Sequence, residues 1–338
     1  MTLPTSQAFA YVDGRLASGF VEVRHDLAAL DEPGFWVVVV SFEGNVTCAR
    51  FADVTQGPLP AARWSGPRHT EWTTSLGHAG YVAGVEIIRG LIEQGAVYQV
   101  NLCRVLSARS AAADLSGLAT ALAAEHPSRY PALVCLPEVG VHVCSASPEL
   151  FLSRARVDGA DVLATRPIKG TGRTAAELSE KDRAENIMIV DMARNDLSRV
   201  AWTGGVDVPT LLELEEYPGL VHLVSTVRAT LVPGVTWPQI FAATFPPASV
   251  SGAPKSSALR IISQLEPVPR GPYCGAIGWV DADRQTASLA VAIRTFWLDD
   301  GQLRFGTGAG ITWGSDPQAE WAETELKAEL LVGLASRA

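Results

Sequence analysis

The sequence has no long apolar run. A membrane-spanning helix needs about 20 consecutive apolar residues, and the longest aliphatic run, WVVVV at 36–40, has the length of a strand. The first residues, MTLPTSQAFAY, contain no basic segment followed by an apolar one, which is the pattern of a secretion signal. We therefore predict a protein that neither crosses a membrane nor is secreted.

Paired cysteines and an excess of basic charge are also missing. The five cysteines are scattered and form no C-x-x-C pair, which predicts free thiols in a reducing cytoplasm rather than disulfides or a zinc site. The net charge is −9, which argues against the basic face of a nucleic-acid-binding protein. It does not argue against a small anionic substrate, because a few local cations can hold one.

The sequence does have the composition of a folded protein, 47% hydrophobic and 19% charged. Its strand and helix patterns lack the regular β-α-β alternation of a doubly wound fold. We predict the α+β class, with antiparallel sheet, in one domain over residues 1–338. The segment 274–311 is expected to be a β-meander. Helices are predicted at 80–95, 112–125, 175–199, 237–245, 256–267 and 317–334.

One lysine lies in the segment RPIKGTGRT, residues 166–174. Taken alone, Lys169 is better explained as a surface cation beside a turn than as a nucleophile. Other nucleophile motifs are missing: the sequence has no G-x-S-x-G, no H-E-x-x-H and no G-x-C-x-G of a glutamine amidotransferase. The chain is therefore not expected to release ammonia from glutamine by itself.

Two predicted helices carry carboxylates that could bind a dication. Glu185 precedes the apolar Ile187–Val190, and a buried carboxylate needs a partner or a metal. In the last helix Glu320, Glu323 and Lys327 share one face at positions i, i+3 and i+7. An ordinary surface ion pair explains this spacing as well. One carboxylate from each helix, completed by substrate oxygens, would suit Mg²⁺.

Three further features could bind a carboxylate. FGTGAGI at 305–311 lacks the helix of a dinucleotide site, so it predicts either a tight turn or a loop whose N–H groups hold an anion. Arg294 is expected on an apolar strand face, where a guanidinium is either paired or available to a carboxylate. His222 in LVHLVS is a buried core histidine by default and a site residue in the alternative.

Together these segments resemble the chorismate-utilising enzymes. The resemblance covers residues 80–338, whereas residues 1–79 match poorly and the chain is short for the family. It implies a single-domain fold in which two antiparallel sheets form a sandwich surrounded by helices. The matching motifs, in family order, are YQVNL (98–102), ASPELF (146–151), RPIKGT (166–171), KDRAENIMIVDMARND (181–196), HLVST (222–226), SVSGAPK (249–255), YCGAIG (273–278), AIRT (292–295), GAGI (308–311) and AEWAETELKA (319–328).

Within the family, the residue in the P-I-x-G-T motif indicates the product. P-I-K-G-T is similar to component I of aminodeoxychorismate synthase, whereas anthranilate synthases typically carry P-I-A-G-T. The resemblance implies Mg²⁺-dependent amino-group transfer to chorismate, giving 4-amino-4-deoxychorismate for 4-aminobenzoate and folate, with ammonia from a separate glutamine amidotransferase subunit. Alternatives are component I of anthranilate synthase, a regulatory chorismate-binding subunit with weak catalysis and, from G-x-G-x-G alone, a nucleotide-binding oxidoreductase.

The resemblance also implies roles for particular residues. Lys169 would be the nucleophile, Glu149 the general acid and His222 an orienting donor. Glu185 and Glu323 would hold Mg²⁺ together with a carboxylate of the substrate. The implied substrate-binding residues are Arg294, Tyr273, Gly308, Ala309, Gly310, Lys327 and Ser251, the last of which stands where the family usually has threonine.

Overall fold

The computed structural model describes residues 7–172, 174–217 and 220–337. Its helices are α1 (His78–Glu93), α2 (Ser116–Glu125), α3 (Glu180–Ser198), α4 (Trp237–Thr244), α5 (Lys255–Leu265) and α6 (Pro317–Ala335). Its strands are β1 (Phe9–Val12), β2 (Arg15–Arg24), β3 (Phe35–Val40), β4 (Val46–Gln56), β5 (Thr73–Thr74), β6 (Gln99–Arg109), β7 (Tyr130–Leu136), β8 (Val141–Ser147), β9 (Leu150–Val157), β10 (Ala160–Arg166), β11 (Ile168–Gly172), β12 (Ala201–Tyr217), β13 (Leu220–Leu231), β14 (Gly252–Ala253), β15 (Ala276–Asp281), β16 (Thr286–Val291), β17 (Thr295–Asp299) and β18 (Gln302–Ile311).

Hydrogen bonding joins these strands into one large, curled antiparallel sheet. The poorly matching N-terminal segment belongs to this sheet, because β3 pairs with β15 along its whole length, Val38 opposite Gly278. The predicted mixture of helices with antiparallel sheet is confirmed. The two-sheet sandwich and the single domain stay predictions. In the part of the chain that the structure describes, no helix is both long and apolar enough to span a membrane.

The six predicted helices are present, with ends shifted by a few residues. The predicted β-meander over 274–311 is wrong in its middle. β15 pairs with β16 and β17 with β18, but β16 turns to β9 and β17 to β8. The strand conformation is interrupted between the two hairpins at Arg294. Its φ of 52° lies in the left-handed region that few L-residues adopt.

The 17-residue strand β12 was not predicted from the sequence. Gly204, Gly205 and Pro209 interrupt its strand pattern, and glycine and proline both weaken a strand signal. Pairing with a neighbouring strand stabilises β12 despite this weak local pattern, because β12 pairs with β13 over most of its length.

Capping residues fix where the two acidic helices begin. The Ser179 hydroxyl accepts a hydrogen bond from the N–H of Asp182, and the Asp182 carboxylate accepts one from the N–H of Ser179, so α3 starts with a capping box. Asp316 accepts from two N–H groups at the start of α6, and Pro317 follows it at the first helical position. These caps fix Glu185 in the second turn of α3 and Glu320 in the first turn of α6.

A buried ion pair connects helix α5 to strand β6. Arg270 is 1% exposed and donates to both carboxylate oxygens of Glu266, at 2.6 and 2.8 Å. It also donates to the carbonyl oxygens of Val250 (2.8 Å) and Asn101 (2.9 Å), and Glu266 accepts from the N–H of Cys103. One charged pair therefore fixes the segment around Val250 against β6, and this segment borders the candidate site.

We predict that Arg270→Met lowers the free energy of unfolding by about 3–5 kcal/mol, because Glu266 would be left as an unpaired buried charge. Urea unfolding followed by circular dichroism measures the change. The control is Arg68→Met, which removes an exposed ion pair with Glu71 and should cost less than about 1 kcal/mol. Equal, small losses for both variants would contradict the structural importance of this pair.

Candidate active site

Lys169 lies on β11 between two carboxylates. Its Nζ is 3.9 Å from Glu185 Oε2, and its side chain is 15% exposed. The charge of Lys169 also lowers the pKa of Glu149, which opposes the rise that burial causes. On the side of β18, a Cβ added to Gly310 would lie 3.1 Å from Nζ, so the glycine provides the room that the lysine occupies. The prediction of a surface cation beside a turn is therefore wrong.

Glu149 lies in the connection between β8 and β9 and is 4% exposed. Its backbone is fixed, since its N–H donates to Ser147 Oγ and its carbonyl oxygen accepts from Val291. Burial raises the pKa of the carboxyl group to about 7, although hydrogen bonds from Ser249 and the N–H of Ile168 and the charge of Lys169 oppose the rise. A carboxyl group of this pKa carries its proton near neutral pH and can act as a general acid.

His222 belongs to the same region because β11 pairs with β13. Thr171 lies opposite His222 in the register of these strands, two residues beyond Lys169. Burial lowers the pKa of the imidazole to about 4, with a further contribution from the charge of Arg294. The imidazole is therefore neutral near pH 7, and a neutral ring can still donate one hydrogen bond.

Arg294 lies in the break between β16 and β17, not on a continuous strand as predicted. Its Nη1 is 3.1 Å from Nε2 of His126, and burial lowers the pKa of both side chains. Within residues 7–172, 174–217 and 220–337, no carboxylate forms a salt bridge with this guanidinium. A buried cation without an anionic partner suits the binding of a ligand carboxylate.

Carboxylates from α3 and α6 meet near Lys169. Burial raises the pKa of Glu185, and Lys169 and Lys181 partly oppose this. Burial also acts to raise the pKa of Glu323, but the ammonium of Lys327, whose Nζ is 2.6 Å from Glu323 Oε1, outweighs burial. The pKa of Glu323 is therefore lowered. Glu320, the weaker candidate, is also present and accepts from Ser315 Oγ at 2.5 Å.

These carboxylates suit a divalent cation whose coordination shell would be completed by oxygens of the substrate or of water. Glu185 Oε1 is buried and has no hydrogen-bond partner in the described residues, so it is available as a ligand. No cluster of three or more His, Cys, Asp or Glu side chains in the described ranges is arranged to hold a metal by itself. The magnesium site stays a prediction.

A row of glycines on β18 lies against β6 and Tyr273. A Cβ at Gly306 would lie 2.1 Å from the Tyr273 ring, and one at Gly308 would lie 2.5 Å from Cys103 Sγ. Tyr273 is buried and its hydroxyl is 3.9 Å from the same sulfur. Lys327 Nζ donates to the carbonyl oxygen of Gly308 at 3.1 Å. The glycines thus let the chain pack closely from Tyr273 at one end to Lys169 at the other.

Two predicted substrate-binding residues present mainly backbone atoms. The Ala309 side chain packs in a hydrophobic cluster with Val100 and Ile311. Ser251 is buried, and its hydroxyl donates to the carbonyl oxygen of Pro247 at 3.0 Å. Neither arrangement tests a contact with substrate, so both roles stay predictions.

Sequence analysis missed Gln99, Ser249 and Lys181. Gln99 is 0% exposed, and neither atom of its amide has a hydrogen-bond partner in the described chain. Its Nε2 would lie 2.6 Å from a Cβ at Gly310, next to Lys169, so the amide can bind a group that enters here. Gln99 and Ser249 lie inside motifs noted above, but no local pattern marks either as a site residue.

Residues 26–333 match the family described as chorismate binding enzyme. Anthranilate synthase component 1 of Streptomyces coelicolor is 39% identical over 293 residues, which cover 83% of this chain and 56% of the relative. A probable aminodeoxychorismate synthase, chloroplastic, of Oryza sativa subsp. japonica is 36% identical over 74% of this chain and 29% of its own. The chain belongs to the chorismate-binding enzymes, and the resemblance seen in the sequence is confirmed at this level. The chain spans about half the length of the Streptomyces coelicolor relative and less than a third of the Oryza sativa relative.

Solved structures support the same fold. A putative 2,3-dihydroxybenzoate-specific isochorismate synthase, DhbC, from Bacillus anthracis has a TM-score of 0.81 at 23% identity, covering 99% of this chain and 98% of that one. Anthranilate synthase component I from Streptococcus pneumoniae has a TM-score of 0.80 at 23% identity, covering 98% and 94%. At this identity the likeness concerns the fold alone.

The raised pKa of Glu149 predicts a pH-dependent cost to stability. The folded state holds this proton from the ordinary value of 4.5 up to about 7, so the wild-type free energy of unfolding should fall as pH rises through that window. Glu149→Gln removes this dependence, and its stability relative to wild type should rise by about 3 kcal/mol between pH 4.5 and 7. Urea unfolding at several pH values measures it. The exposed Glu138→Gln is the control, and parallel profiles for Glu149→Gln and wild type would contradict the raised pKa.

Proposed function

We propose that this chain is an aminodeoxychorismate synthase component I, which converts chorismate and ammonia to 4-amino-4-deoxychorismate. The observation that carries the proposal is the position of Lys169, a largely but not fully buried side chain between Glu149 and Glu185 with room in front of Gly310. An amine in this position can act as a nucleophile toward a bound ring, with a protonated carboxyl group beside it.

In the first step the Lys169 ammonium gives its proton to solvent and the resulting amine attacks C2 of chorismate. The two conjugated ring double bonds shift, from C1=C2 and C5=C6 to C1=C6 and C4=C5, and the C4 hydroxyl departs as water because Glu149 gives it a proton. Hydroxide is a poor leaving group, so the raised pKa of Glu149 is what makes this departure feasible near neutral pH. Covalent attachment divides one difficult substitution into two easier ones.

In the second step ammonia attacks C4, the two double bonds shift back and the amine of Lys169 leaves from C2, while the ammonium group formed at C4 returns a proton to Glu149. The new amino group therefore stands on the carbon that lost its hydroxyl, and the lysine is regenerated. We propose that a separate glutamine amidotransferase subunit supplies the ammonia. The name "component 1" of the Streptomyces coelicolor relative is consistent with a multi-component enzyme.

The remaining residues bind and orient the substrate. Arg294 pairs with the carboxylate of the enolpyruvyl group, for which it has no protein competitor among the described residues. The neutral His222 donates a hydrogen bond near the departing hydroxyl, and Lys327 attracts the ring carboxylate. Glu185 and Glu323 would hold Mg²⁺, which supplies positive charge for the ring carboxylate when bound.

Component I of anthranilate synthase is the second candidate. Several relatives carry this name, including that of Neisseria meningitidis serogroup C, which is 37% identical over 79% of this chain. Such an enzyme would release pyruvate and form anthranilate. A regulatory chorismate-binding subunit is less favoured, because Lys169, Glu149 and the two acidic helices all converge on one site.

The product distinguishes these candidates. Incubation with chorismate, Mg²⁺ and an ammonium salt should give 4-amino-4-deoxychorismate by mass spectrometry, and 4-aminobenzoate after a lyase is added. Anthranilate and pyruvate formed without the lyase would establish the second candidate instead. Absence of turnover under conditions where chorismate binds would favour the regulatory subunit.

Lys169→Ala should reduce amination by about two orders of magnitude or more, because the covalent route is lost. Lys169→Arg is the matched control, since it keeps the charge beside Glu185 but offers no comparable nucleophile. We expect Lys169→Arg to bind chorismate, measured by intrinsic fluorescence, yet to be as slow as Lys169→Ala in single-turnover assays. Near-normal rates in either variant would exclude an obligatory covalent lysine.

A further inference from the structure

Lysine is used sparingly in this chain. Only four of its 27 Lys and Arg residues are lysines, namely Lys169, Lys181, Lys255 and Lys327. Three of the four contact the acidic cluster of α3 and α6: Lys169 reaches Glu185, Lys327 reaches Glu323, and Lys181 reaches both Glu185 and Glu320. Three of the chain's four ammonium groups therefore lie at the carboxylates of α3 and α6.

Lys181 lies between a buried carboxylate of α6, Glu320, and a partly buried carboxylate of α3, Glu185. Its Nζ is 3.8 Å from Glu185 Oε1 and 3.5 Å from Glu320 Oε1. The lysine side chain is 48% exposed, whereas that of Glu320 is 6% exposed. The cation can therefore move into solvent, but Glu320 cannot follow it.

Charge balance explains why a cation is required at this point. A buried carboxylate is costly unless a positive group accompanies it, and Lys169 and Lys327 already face Glu185 and Glu323. Lys181 contributes the positive charge next to Glu320. Its contacts are loose, because Glu185 Oε1 has no hydrogen-bond partner despite the nearby ammonium.

The chemical type of this cation matters as well. A guanidinium binds a carboxylate through a rigid two-point fork, whereas an ammonium is a compact, strongly hydrated charge on a flexible chain. An ammonium is thus easier to displace from a carboxylate pair. In a chain that otherwise prefers arginine, a lysine here favours exchange over permanent pairing.

We propose that Lys181 is a built-in competitor for the divalent cation at the carboxylates of α3 and α6. Its ammonium and the metal both neutralise Glu185, so binding of the metal displaces Lys181 into solvent and releases the contact that it makes between α3 and α6. Lys181 thereby weakens metal affinity and keeps the acidic cluster neutralised when the metal leaves. This inference rests on the magnesium site of the proposed function.

The test is a calorimetric titration of the full chain with Mg²⁺ alone. Lys181→Met keeps the length of the side chain and removes the charge, and it should bind Mg²⁺ about three- to tenfold more tightly than wild type, which corresponds to about 0.7–1.4 kcal/mol. Lys181→Arg keeps the charge and should bind within about twofold of wild type or more weakly. Arg183→Met removes one charge from the same helix, where Arg183 pairs with Glu180, and should leave the affinity unchanged.

Thermal unfolding supplies a second measurement that also controls for folding. Lys181→Met should show a larger rise in Tm on addition of Mg²⁺ than wild type, because stabilisation follows affinity. Equal or weaker Mg²⁺ binding by Lys181→Met, with wild type still binding, would overturn the role of Lys181 and leave the proposed reaction intact. No Mg²⁺ binding by either protein would overturn both this inference and the magnesium site.

Discussion

The cost of burying carboxylates governs the candidate site. Glu149, Glu185 and Glu320 are removed from water at the junction of β11, α3 and α6, and burial disfavours the charged form of each such group. The chain meets this cost in two ways. Burial raises the pKa of Glu149 to about 7, so this carboxyl group is protonated at lower pH. Glu185 and Glu320 are instead accompanied by lysines. The cost of burial is thus met by protonation at Glu149, the proposed acid, and by nearby cations at Glu185 and Glu320.

The surrounding fold keeps these groups in place against their mutual electrostatic forces. The buried pair of Arg270 and Glu266 ties α5 to β6 and to the segment around Val250, and the neighbouring Ser249 hydrogen-bonds to Glu149. On the opposite side, the glycines of β18 allow close packing beside Lys169. Neither the ion pair nor the glycines take part in the chemistry, but both fix backbone segments that border the site.

Family membership and reaction specificity have different physical origins here. The large antiparallel sheet and the helices are shared with chorismate-binding enzymes of several named activities. The proposed choice among products depends instead on a few side chains at one site, above all Lys169. A fold-level likeness therefore leaves the product open, and the chemistry at the site has to decide it.

By itself the sequence determined the helices, the antiparallel class and the family, because these follow from periodicity, composition and motif order. Local patterns failed at Arg294, where a left-handed residue splits the expected meander, and at β12, where glycine and proline conceal a strand that its partner stabilises. They also could not reveal Gln99 or Lys181 as site residues. Only the tertiary structure decided which charges are buried and which partners they meet, because burial and distance depend on segments far apart in the chain.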